Sequence, residues 1–165
     1  MEENKEIIEI IRGKFGSDIV ESETDGDMPS VTVTSGSVYS IISFLKNDAS
    51  AGYEFLTDLC GIHYPDNKLP LGVIYHLHNL RNNMRLRIKT FVPVECPEVD
   101  SLTPLFSAAN WMERETFDFY GIRFRWHPNL KRILNVEYLD IFPMRKEYPL
   151  EDPTREDKDN RFFGR

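Results

Sequence analysis

The chain has 165 residues, is 41% hydrophobic and carries a formal net charge of −7. Its size and apolar content suit one globular domain with a real core, and its acidity argues against generic nucleic-acid binding, which needs excess Lys and Arg to neutralise phosphates. No run of 18 or more apolar residues occurs, so no helix of this sequence is expected to span a membrane.

The opening "MEENKEIIEI" is acidic and amphipathic, without the basic start and apolar run of a signal peptide. Ile7, Ile8, Ile10 and Ile11 recur at helical spacing with charges between them, which predicts a first helix loosened at its end by Gly13 and Gly16. "DIVESE" and "SVTVTS" alternate apolar and polar residues around "TDGD", a β-hairpin pattern. Ser37 is placed to cap a second helix, "VYSIISFLKN", whose Val38, Ile41, Ile42 and Leu45 form one stripe. Three strands are then expected in "GYEFLTDLCGIHY", "LGVIYHLHNL" and "MRLRIKTFV". In the last, Leu86 and Ile88 point one way, and Arg85, Arg87 and Lys89 the other. "PVECPEVD" reads as a linker. Thr103 and Pro104 suggest the cap and first residue of a third helix running to Tyr120, stopped by Gly121. The order α-β-β-α-β-β-β-α implies an α+β two-layer sandwich with a mostly antiparallel or mixed sheet of about five strands.

Residues 1–142 are assigned to this domain. From Pro143 to Arg165 the composition turns charged and proline-bearing with few aliphatics, too little apolar area to offset its own ordering. Isolated Met144, Tyr148, Leu150, Phe162 and Phe163 suit an extended arm laid on a partner. Cys60 and Cys96 stand far apart outside any C-x-x-C. With no export signal, a reducing cytoplasm is the default, and both read as free, buried thiols.

On a helical wheel from Ala108 to Tyr120, Ala109, Met112, Thr116, Phe119 and Tyr120 share a core arc. Glu113, Arg114, Glu115 and Asp118 spread over the remainder, yet Trp111 and Phe117 lie among them. Large aromatic groups in a charged surround mark a docking surface. The acids have an adequate explanation in ion pairs, with Arg114 at i+4 from Asp118 and Arg123, Arg125, Arg132, Arg145 and Lys146 downstream. His76 and His78 share a strand face, and with His63 they are the candidate ligands of a metal-dependent enzyme. As partly buried strand histidines they need no metal. Arg85, Arg87 and Lys89 read as a solvated strand face. No G-x-G-x-x-G, P-loop, G-x-S-x-G or H-E-x-x-H motif is present.

"ERETFDFYGIRF", then "HPNLKRIL", then "PMRKEYPL" resembles the signature of the C subunit of NADH-quinone oxidoreductase, the 30 kDa-type hydrophilic component of respiratory complex I. Glu113, Arg114, Glu115, Asp118, Tyr120, Gly121, Ile122, Phe124, His127, Pro128, Leu130, Arg132 and Leu134 fall where that family places such residues. Pro143, Arg145, Lys146, Tyr148, Pro149 and Leu150 match the later element. Two departures stand out: Trp126 precedes His-Pro where the family has a small residue, often Gly, and Ile141-Phe142 replaces a frequent Gly-His.

The resemblance implies a non-catalytic structural subunit in the peripheral arm of a proton-translocating NADH:quinone oxidoreductase. It implies docking to the larger D subunit, which holds the quinone site, near the B and I subunits, on the cytoplasmic side of the inner membrane. Contact with the membrane would come only through the complex, and no nucleic acid is implied. The expected partner interface is Trp111, Glu113, Arg114, Glu115, Phe117, Asp118 and His127 on the helix and its turn. Arg132, Arg145, Lys146, Tyr148 and Leu150 continue it. No catalytic, cofactor or metal residue is expected here; FMN, iron–sulfur clusters and quinone belong to other components of the complex. The alternatives are an equivalent scaffold in a membrane-bound hydrogenase and, in another class, the metal enzyme using His63, His76 and His78.

Overall fold

A computed structural model describes residues 2–24, 28–49 and 51–148, with side chains from residue 6 onward. The elements are α1 (Glu2–Phe15), β1 (Ile19–Glu23), β2 (Ser30–Val33), α2 (Val38–Asn47), β3 (Phe55–His63), β4 (Leu71–Asn79), β5 (Met84–Val92), β6 (Glu98–Asp100), α3 (Ala109–Tyr120) and β7 (Arg123–Arg125). Five strands form one sheet in the order β1-β2-β5-β4-β3, and β6 and β7 form a second, two-stranded one. In the larger sheet every pairing is antiparallel except β2 with β5, which run parallel because α2, β3 and β4 intervene before the chain returns. This is the expected α+β sandwich with a mixed sheet.

Period 2 sets the two faces. Leu71, Val73, Tyr75 and Leu77 of β4 meet Val92, Thr90, Ile88 and Leu86 of β5, and all are buried. The helices cover this face. Val38, Ile41, Ile42 and Leu45 of α2 are fully buried, with Ile7, Ile8 and Ile11 of α1 buried in the same core. α3 lies over β3: a Cβ on Gly61 would sit 2.4 Å from the Tyr120 ring, so only Gly allows the helix this close. The opposite sheet face carries a cross-strand polar ribbon. There Ser30 donates to Glu23, Arg87 donates to His76, and His76 lies 3.6 Å from Asp58.

Four expectations change. α3 starts at Ala109 rather than near Thr103. Residues 103–105 instead form a turn in which Leu105 and Phe106 donate to the Leu102 carbonyl, because Glu113 holds Ser101 and Leu102 from below. The supposed linker contributes β6, paired in parallel with β7. Ser37 does precede α2, but its hydroxyl donates to the Thr34 carbonyl rather than capping the helix. Cys96 is exposed and Cys60 only partly buried; both are free, and burial pushes the Cys60 thiol up to about 11. Gly121 ends α3 as expected, at φ 75 with its N–H on the Phe117 carbonyl.

Candidate docking surface

The acids at the centre of α3 face inward. Glu113 and Asp118 are fully buried, so neither offers a side chain to a partner, contrary to the surface placement expected from the wheel. Both are used to fasten loops. Glu113 accepts from the Ser101 hydroxyl and the Leu102 N–H, each at 2.6 Å. Burial pushes its carboxyl up to about 7, against the pull of those two donors. His127 lies 4.0 Å away with a fully buried ring. Its Nδ1 accepts from the Asn129 N–H and its Nε2 donates to the Asn110 carbonyl, so it is the neutral Nε2–H form. Burial holds its pKa below the usual histidine value.

Asp118 is the hub of the segment after α3. Its carboxylate accepts from the backbone N–H groups of Ile133, Leu134 and Asn135, the Asn135 amide and Arg132 at 2.8–3.0 Å. Burial alone would raise its pKa. The donors from Asn135, Leu134, Arg132 and Ile133 outweigh that and hold it well below the usual carboxylate range. The expected i+4 pair with Arg114 does not form. Arg114 instead donates to the Lys131 and Arg132 carbonyls and stacks on Trp111, 5.1 Å from its ring.

Arginines then pin an irregular chain that has no ladder of its own. Arg132 also donates to the Leu139 and Ile141 carbonyls. Arg145 donates to the Tyr120 carbonyl, and both guanidiniums lie over the Phe142 ring, at 5.1 and 4.7 Å. Phe117 meets Phe142 edge-on, and the Phe142 ring fills the space a Cβ on Gly121 would need. The Phe142 departure thus has a local place: it plugs the C-terminus of α3. Residues 143–148 are fastened to the domain as well, with the Met144 N–H donating to the Phe119 carbonyl and the Lys146 N–H to His63 Nδ1.

This scaffold presents apolar side chains to water. Trp111 is 61% exposed, and Leu134, Val136, Tyr138, Ile141 and Met144 follow along the pinned segment. Glu115 is exposed on the rim of a cleft of about 300 Å³ that is also lined by Asp58, Cys60, Phe119 and Met144. Phe117 and Tyr148 are half-buried and Lys146 exposed. Leu150 lies outside the described residues, as do Phe162 and Phe163. Val136 and Tyr138 escape the sequence reading altogether, and Leu134 enters it only through the signature. Their signal, apolar residues spaced through a charged loop, carries no periodicity.

The three histidines do not converge. His63 faces the helices, whereas His76 and His78 lie on the opposite sheet face, where His78 meets Asn83. Among the described residues no group of three His, Cys, Asp or Glu side chains could hold a metal ion, and no helix is long and apolar enough to cross a membrane.

A mixed five-stranded sheet with helices on one face, closed by an arginine-pinned wrap, defines the class: an α+β domain of the type solved in respiratory assemblies. The trypsin-resistant fragment of Nqo5 superposes with a TM-score of 0.66 and 29% identity, over 76% of this chain and 98% of that one. A chain of the archaeal membrane-bound sulfane sulfur reductase complex shares the fold at a TM-score of 0.75 and 17% identity, over 95% of this chain and 98% of that one. Residues 31–154 match the family model described as "Respiratory-chain NADH dehydrogenase, 30 Kd subunit", and the chain belongs to that family. The NADH-quinone oxidoreductase C subunit of Methylorubrum extorquens (strain PA1) is 39% identical over 143 residues, 86% of this chain and 64% of the relative. The Paramagnetospirillum magneticum (strain AMB-1) protein of that name is 36% identical over 148 residues, 88% of this chain and 73% of the relative. The chain thus spans a little under two thirds of the M. extorquens protein's length.

Proposed function

We propose that this chain is a structural and assembly subunit of the peripheral arm of a proton-translocating NADH:quinone oxidoreductase. It docks against the D subunit, which holds the quinone site, near the B and I subunits, on the cytoplasmic side of the membrane, and meets the membrane only through the complex. Its role is mechanical. FMN, iron–sulfur clusters and quinone are held by neighbours, and electrons pass from NADH to quinone without using a group of this chain. The observation that carries the reading is the surface from Trp111 to Met144. Its buried carboxylates and its arginines are consumed internally, so that they fix a backbone shape, while Trp111, Leu134, Val136 and Tyr138 remain outside. Rigid aromatic and aliphatic anchors on a fixed frame supply most of the binding free energy of an interface, and the interior ion pairs set register. Membership of the 30 kDa-type family supports the choice of complex.

A tagged copy tests it. Purified from membranes, the tagged chain is expected to sediment with a large assembly that contains a homologue of the quinone-site component and reduces quinone with NADH. Sedimentation as a small free protein under conditions that preserve that activity in other fractions would reject the reading.

A further inference from the structure

Trp126 is the second exposed tryptophan, and its position is unlike that of the first. It follows the last residue of β7 at φ 65, in the left-handed region that disfavours side chains, and it is 85% exposed. A glycine there would remove the strain, and the apolar surface in water would go with it. Two costs at one residue point to function outside the free chain. Trp111 is capped by the chain's own Arg114; Trp126 has neither a cation nor a ring partner among the described residues.

Beside Trp126 lies a cleft of about 330 Å³ lined by Tyr39, Asp100, Ser101 and Pro104. It opens where β6 and β7 end side by side, Asp100 opposite Arg125. The Ser101 hydroxyl is turned inward to Glu113, which leaves Asp100, itself ion-paired with Arg125, as the cleft's one charged lining residue. Arg125 donates to one oxygen of that carboxylate, Oδ1, at 2.8 Å, which leaves Oδ2 for a further donor. Two aromatic rings, a proline and a carboxylate in one concavity are the chemistry that receives a cationic side chain: the ring faces attract it electrostatically and the carboxylate completes the charge.

We propose that this cleft, lined by residues other than those of the Trp111 surface, is a second docking site for a basic segment of a partner protein. One arginine or lysine side chain of that segment lies against the Trp126 and Tyr39 rings with its charge toward Asp100. The chain's net charge of −7 favours approach of such a segment over an acidic one. The site needs a basic partner but no particular complex, so it stands or falls apart from the assembly role.

The test uses the full chain carrying Trp111→Phe, in which Trp126 is the only tryptophan. Tri-arginine at millimolar concentration is expected to change its fluorescence saturably, while tri-citrulline, of matched shape without charge, leaves it unchanged. Asp100→Asn and Tyr39→Leu, on separate elements, are each expected to weaken the response about fivefold; circular dichroism confirms that each variant is folded. An unchanged emission, an equal response to citrulline, or an arginine response indifferent to both substitutions would overturn the proposal. The last outcome is general attraction to an acidic protein.

Discussion

Glu113 and Asp118, two buried carboxylates on one helix, are set to opposite protonation behaviour by what surrounds them. Burial raises the Glu113 pKa from 4.5 to about 7, because its two donors, with no arginine or lysine among its hydrogen-bond partners, do not offset the desolvation. A raised carboxyl binds more protons folded than unfolded between those values, and its contribution to stability therefore falls as pH rises from about 4.5 through 7. Asp118 behaves in the reverse sense. Its depressed pKa contributes stability above the ordinary value of 3.8, and that contribution is lost as pH falls through the lower, folded-state value. Stability is thus expected to peak in mildly acid solution. Glu113→Gln keeps the shape and an acceptor while removing the ionisation. It should flatten the decline between about pH 5 and 8, recovering about 2–3 kcal/mol at the alkaline end in urea titrations. A slope identical to that of the unaltered chain would place the titration elsewhere. Asp118→Asn removes the partner of the nearly buried Arg132 and weakens the bonds to the loop's N–H groups, and it should cost about 3 kcal/mol or more at neutral pH. The helical wheel places both acids in water. Side-chain type argues for exposure, and only the partners, supplied 11 to 17 residues away, make burial tolerable.

Elements whose signals are local are legible in the sequence. The stripe of α2 and the alternation of β4 and β5 name their own buried faces, and Gly121 marks its own stop. β6 and β7 are not legible, because each is three residues long and exists only by pairing with the other across α3. The start of α3 is hidden for a related reason: Thr103-Pro104 does start a turn, but the chain breaks again at Phe106, which is drawn into the core. The wrap after β7 has no period at all. It depends on side-chain bonds to α3, which gives two expectations at this scale. Gly121→Ala meets both a positive φ and the Phe142 ring, so it should lower stability by about 1–3 kcal/mol by denaturant melting. A chain truncated after Phe142 loses the Arg145 and Met144 bonds, and its midpoint should fall below that of a chain truncated after Tyr148. Equal midpoints for the two truncations would show that residues 143–148 contribute nothing to the domain.

At the scale of the whole molecule, interior and surface divide their tasks. Interior chemistry holds the shape, and the groups that usually signal catalysis, carboxylates beside a histidine on a helix, are occupied with loops. What is left outside is an apolar strip and, if the chain is an assembly subunit, a neighbour to cover it. Trp111 separates the two contributions. Its ring is mostly in water and touches its own Arg114, so Trp111→Ala should change the free chain's stability by less than about 0.5 kcal/mol. If the ring is an anchor, the same change should weaken incorporation into the assembly by about 2 kcal/mol or more, roughly thirtyfold in an exchange experiment against unaltered chain. The ratio of the two effects decides between the roles: a large loss of fold with unchanged exchange would make Trp111 part of the domain's own packing and remove the docking strip's central residue.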